Sequence, residues 1–219
     1  TLTSLARHTH TAATGFTVDN GSFADGDTIS LAGTSAITVT GLVANLDASA
    51  SSGQITATSA GSSGAISITT GSAVTNLTAT TVGDTFTVDA TALADDITLS
   101  TAGAGNFSIT GLQGDLSNTA SGTVAVTLAD NTDRDYTVTS TQAISVNNGT
   151  AQDGDTITLA GSGNKTVNAL VADLSLDSSN TGTTNVTTDD ASLTITANAA
   201  AGALTVDASS GTGAGSITT

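Results

Sequence analysis

Residues 55–69 read Ile-Thr-Ala-Thr-Ser-Ala-Gly-Ser-Ser-Gly-Ala-Ile-Ser-Ile-Thr: two patches of apolar–hydroxyl alternation separated by small turn residues. Alternation at period two puts Ile55 and Ala57, then Ile66 and Ile68, on one face of a strand and Thr or Ser on the other. The patch recurs upstream as Phe16-Thr17-Val18-Asp19 and Ile37-Thr38-Val39-Thr40. Downstream it returns as Phe86-Thr87-Val88-Asp89, Phe107-Ser108-Ile109-Thr110, Tyr136-Thr137-Val138-Thr139, Leu193-Thr194-Ile195-Thr196 and Leu204-Thr205-Val206-Asp207. One strand falls about every ten residues. A strand this short cannot bury its apolar face alone, but a long series of equal ones does so by stacking, which predicts an all-β, elongated β-solenoid.

Composition agrees. The chain has 219 residues, 37% hydrophobic and 2% aromatic, with no Pro, Cys, Met or Trp. All 19 acidic residues are Asp, and the good helix formers are absent or scarce. Thr suits a pleated surface through its branched Cβ. Few aromatics and few charges also mark disordered chains, but here Val, Ile and Leu fall at regular places. Four Phe and one Tyr fill only a thin core, which a solenoid asks for. Tandem small β-sandwich repeats are the alternative; such sandwiches usually bury an aromatic and have longer repeats.

The formal charge is −16. Three basic residues, Arg7, Arg134 and Lys165, cannot neutralise a phosphate backbone, so no nucleic-acid partner is expected. No apolar run approaches the roughly 20 residues of a membrane span. The start at Thr1 rather than Met reads as a processed form or a fragment.

Residues 1–15, which carry Arg7, His8 and His10, stand apart as an N-terminal arm or cap before a repeat domain over 16–219. In that domain the hydroxyl positions form two interleaved series. One runs Thr38, Thr56, Thr78, Thr98, Ser117, Thr137, Thr156, Ser175, Thr194; the other runs Thr28, Asp47, Ser67, Thr87, Ser108, Thr127, Ser145, Thr166, Asn185, Thr205. Each advances by about 20 residues, which reads as two strands per coil and about ten coils. A longer similarity complicates that reading. Ala24-Asp25-Gly26-Asp27-Thr28-Ile29-Ser30-Leu31-Ala32-Gly33 returns as Gln152-Asp153-Gly154-Asp155-Thr156-Ile157-Thr158-Leu159-Ala160-Gly161, and more weakly from Ala94 to Leu99. The copies sit in opposite phases of the 20-residue count, so strands per coil stay open at this point.

Three kinds of site come into view. Asp25, Asp27, Asp95, Asp96, Asp130, Asp133, Asp135, Asp153 and Asp155 are candidate Ca²⁺ ligands, since this ion takes six to eight oxygens from carboxylates and loop carbonyls. The competing reading, which we weight more heavily, is Asp capping turns through bonds to nearby backbone. Thr-x-Thr pairs such as Thr38/Thr40, Thr56/Thr58 and Thr137/Thr139 would line one face as in an ice-binding array, interrupted at Ser117 and Ser175. Catalysis is not expected: the repeat body holds no His and no phosphate loop, and Asp133, Arg134 and Asp135 alone approach a carboxylate–cation set.

On these patterns the chain resembles the Thr/Ala/Ser/Gly/Asp-rich repeat regions of bacterial secreted surface proteins: adhesins, S-layer and extracellular filament proteins. Gly26-Asp27-Thr28-Ile29 and Gly154-Asp155-Thr156-Ile157 are similar to the last part of the RTX calcium nonapeptide, without its leading double Gly. The resemblance implies an extracellular or cell-surface structural protein, self-assembled by strand-edge and coil stacking and stabilised by calcium. Its implied partners are copies of itself and cell-surface polysaccharide. The other role it implies is a calcium-stabilised adhesin or spacer segment.

Overall fold

The computed structural model describes residues 8–12 (backbone path only), 14–19, 26–61, 65–129, 134–149, 151, 154–189, 192–198, 200–210 and 215–219. Strands β1 to β22, numbered in chain order, divide between two eleven-stranded sheets, and no helix occurs among the described residues. Sheet I holds β1 (His8–Ala12), β3 (Thr28–Gly33), β5 (Asn45–Ser51), β7 (Ala65–Thr69), β9 (Thr85–Asp89), β11 (Asn106–Leu112), β13 (Val124–Leu128), β15 (Ile144–Asn147), β17 (Lys165–Leu170), β19 (Thr184–Thr188) and β21 (Leu204–Asp207). Sheet II holds β2 (Phe16–Asp19), β4 (Ile37–Leu42), β6 (Ile55–Ser59), β8 (Thr75–Ala79), β10 (Thr98–Gly103), β12 (Asp115–Asn118), β14 (Asp135–Ser140), β16 (Thr156–Ala160), β18 (Asp173–Leu176), β20 (Thr194–Thr196) and β22 (Ser216–Thr218).

Each strand pairs in parallel with the strand two places on, so the chain is a β-solenoid with two strands per coil. Sandwich repeats would need antiparallel pairs, and every described pairing is parallel, so that alternative falls. The two hydroxyl series of the sequence separate cleanly, one on the odd strands of sheet I and the other on the even strands of sheet II. The N-terminal segment contributes β1, in register with β3.

The core is a set of stacked rows. In sheet I, Ile29, Leu46, Ile68, Val88, Ile109, Val126, Val146, Val167, Val186 and Val206 face one another coil after coil. Beside them run Ile66, Phe86, Phe107, Val124 and Ile144, with the Phe86 and Phe107 rings edge to face at 5.3 Å. Sheet II answers with Ile37, Ile55, Thr75, Leu99, Leu116, Val138 and Leu159. Apart from Val206, which is half-buried, these side chains are essentially buried, each apolar one contributing about 1.5–3 kcal/mol.

The long repeat is now intelligible. It spans three strands: β3–β4–β5, β10–β11–β12 and β16–β17–β18. Positive φ recurs at equivalent places in all three copies: Gly26, Asp96 and Gly154; Gly33, Gly103 and Gly161; Gly41, Gly111 and Ala169. The third set coincides with a register shift in each copy, between Val39 and Leu42, Ile109 and Leu112, and Val167 and Leu170. A bulge therefore ends the middle strand of every copy. The first copy begins in sheet I and the other two in sheet II. Both sheets offer the same surroundings, half apolar interior and half solvent, so one motif folds alike in either.

Ala169 takes φ +52° where the other copies use Gly. A left-handed conformation costs a residue with a Cβ about 1–2 kcal/mol. Ala169→Gly is expected to raise unfolding free energy by about 1 kcal/mol, read from denaturant melts.

Candidate functional site

The acidic candidates come first. Asp27 precedes β3, and its carbonyl accepts the Asn45 amide at 2.7 Å. The Asp95 carboxylate accepts the Asp96 amide at 3.1 Å and lies 3.4 Å from Arg134 Nη1. Asp96 is exposed, at φ +56°. Asp155 is buried and accepts the Arg134 amide at 2.7 Å; Arg134 Nη1 also donates to the Gln113 carbonyl at 2.9 Å. Asp135 accepts the Thr156 amide at 3.1 Å. The corner entering sheet II thus gathers Asp95, Arg134 and Asp155 from neighbouring coils. Asp25, Asp130, Asp133 and Asp153 lie outside the described residues. Among the described residues, no three His, Cys, Asp or Glu side chains converge as a metal would need.

Carboxylates and carboxamides act here in two ways. Some cap their own turn: Asp47 accepts from Ser49, Asp89 from Thr91 and Asp177 from Ser179. Bonds from the Ser179 amide and hydroxyl hold the Asp177 carboxyl below its ordinary range. Others staple one coil to the next. Asn45, Asp115 and Asp173 occupy the same place in the three repeat copies, and they accept the amides of Ser67, Thr137 and Thr194 at 2.8, 2.8 and 2.6 Å. Asn106 and Asn164 do the same for Thr123 and Thr183, at 2.8 and 3.0 Å. Partners this far apart in the chain leave no local signal.

The interior holds polar groups the sequence reading did not single out. Asp84 is fully buried. Burial opposes its ionisation, but bonds from Ser59 Oγ at 2.6 Å, the Thr81 amide at 3.0 Å and Thr80 Oγ1 at 3.4 Å hold its carboxyl below the usual value. Thr101, Asn118 and Ser140 form a buried row joined by bonds of 2.8 and 2.9 Å. Lys165 replaces, in its copy, the core residues Ile37 and Phe107 of the other two. Its Nζ donates to the carbonyls of Gly161 and Gly163, each at 2.7 Å, and desolvation lowers its pKa to about 8.

The outer face of sheet II does not carry an unbroken Thr lattice. Its central row runs Thr38, Thr56, Asn76, Ser100, Ser117 and Thr139. A concavity lies elsewhere, at the corner entering sheet I across β11 to β17, with a volume of about 590 Å³. Asn106, Gln142 and Asn164 stand along it with Thr123 and Ser145, and Val82, 78% exposed, forms part of its wall. Glycine lets the coils pass closely at this corner: a Cβ on Gly122, which lines the hollow, would collide with the Gly105 carbonyl of the preceding coil, and one on the nearby Gly163 with that of Gln142.

Comparison with known proteins returns no matching family model, no similar curated protein and no similar solved structure.

Two buried ionisable groups, both with pKa values lowered by folding, make stability rise with pH in two separate windows. Unfolding raises the Lys165 pKa from about 8 to its ordinary 10.5, so this site adds stability as pH climbs through that window. Lys165→Ile should flatten the rise in melts between pH 7 and 10.5. For Asp84 the contribution is present above the ordinary carboxyl pKa and is lost as pH falls through the lower folded value. Asp84→Ala, which strands the Ser59 hydroxyl and the Thr81 amide, should cost about 1–3 kcal/mol at pH 7 in denaturant melts.

Proposed function

We propose that this protein is a structural rod that assembles with copies of itself into an extracellular filament or surface layer on a bacterial cell. The supporting observation is the repeated parallel pairing: coil after coil, each sheet offers the next strand a parallel ladder and, between its bulges, the same apolar rows. A coil from a second copy would meet the ladder a coil of its own chain meets. At about 4.8 Å per coil, the eleven strands of each sheet make a rod about 50 Å long.

Specific association must overcome the −16 charge on each copy. Salt and divalent cations reduce that repulsion. Calcium enters this reading as a screening and bridging ion between copies, with the exposed Asp95 and Asp96 as carboxylates within its reach.

Negative-stain microscopy and sedimentation of the purified chain, in calcium and in chelator, test the reading. Filaments or sheets are expected in calcium, with fewer in chelator at low salt. Polymers indifferent to chelator would keep the structural role and remove calcium from it. Monodisperse short rods under every condition would overturn self-assembly and favour a spacer segment of a larger secreted protein.

A further inference from the structure

We propose that the concavity on the sheet I corner is a binding groove for a neutral, extended oligosaccharide. None of the residues lining it is charged, in a chain that carries 19 carboxylates and three basic side chains. A cation would find no carboxylate there, and an anion would find no Lys or Arg. The available polar groups are carboxamides and hydroxyls, which both donate and accept and so match the hydroxyls of a neutral sugar. Val82, largely exposed at the wall, offers an apolar contact for the C–H face of a ring.

Two of these groups are held in place before any ligand arrives. Asn106 Oδ1 accepts the Thr123 amide at 2.8 Å and Asn164 Oδ1 accepts the Thr183 amide at 3.0 Å. Each bond fixes a carboxamide and leaves its Nδ2 hydrogens without a protein partner. Preorganised donors lose little entropy on binding, which is where affinity for a flexible polyol is usually lost. Asn106 and Asn164 stand at the entries of β11 and β17, three coil steps or about 14 Å apart. That separation suits a chain of several rings rather than a single sugar.

The groove does not suit a peptide strand. Strand addition needs an unpaired edge, and β11, β13, β15 and β17 are already paired on both sides. Only side chains and the bare glycine corner remain to recognise a ligand, and they recognise hydroxyls.

The test uses the full chain and a panel of neutral hexasaccharides (β-1,4-glucan, β-1,3-glucan, α-1,4-glucan, α-mannan), with alginate and polygalacturonate as acidic controls. Binding is read by NMR titration and affinity electrophoresis. The decisive variant is Asn106→Asp with Asn164→Asp. A carboxylate keeps the staple to the next coil, as Asp115 and Asp173 show, but replaces the free donors with charge. At least one neutral glycan should bind, and the double variant should weaken it tenfold or more with an unchanged melting temperature. No binding by any neutral glycan would overturn the proposal. So would equal binding by the double variant, or acidic polymers bound as well as neutral ones. Self-assembly has its own readout, so either proposal can fail while the other stands.

Discussion

Everything in this molecule answers to one constraint: each strand must hydrogen-bond, in parallel and at one spacing, with the strand two places along the chain. Satisfying it turns a sequence into rows. A residue that faces inward on one coil sits on an inward residue of the next, so the core is extended along the axis rather than gathered at a centre. Val, Ile and Leu serve where a globular core would need aromatics, because the space between the sheets is one side chain deep from each side. The corners obey the same spacing. At Gly122, Gly163, Gly182 and Gly202 only hydrogen fits between one coil and the carbonyl of the coil before.

The constraint also explains the polar groups. Parallel ladders leave amides and carbonyls unmatched wherever a strand begins, ends or bulges. Asp and Asn meet those amides from the adjacent coil, and Ser, Thr and Asn inside the rod bond to one another along the axis. Lys165 is the extreme instance, a cation drawn into the apolar row to satisfy two corner carbonyls. Its depressed pKa is the cost of that arrangement.

Much of the architecture was legible because strand alternation is local. Ile55-Thr56-Ala57-Thr58 carries its own inside and outside, and the two hydroxyl series separate into the two sheets. Register was not legible. Thr56 pairs with Asn76 rather than with a residue level with Thr78, and Asn76 pairs with Ser100 rather than Thr98. Corner lengths vary, and the inward apolar residues, not the outward hydroxyls, choose the alignment. The candidate Asp residues show the same limit. Their type and clustering are visible in sequence, but the partner of Asp155 is an amide 21 residues away. Asn106 and Asn164 stand out in sequence only as two of several Asn-x-Ser/Thr triplets; their place beside a hollow depends on how neighbouring coils pack.

The three-strand repeat in a two-strand coil has a consequence for how such a chain diversifies. From the first copy to the second is seven strands, and from the second to the third is six. An odd interval moves a copy to the opposite face; an even one returns it to the same face. Packing does not distinguish the two, so duplications of either parity fold. Surface features do distinguish them: inserting a single strand upstream would carry an entire groove to the far side of the rod. Parity of strand number, which no single residue records, thus decides which side of the assembly a recognition surface faces.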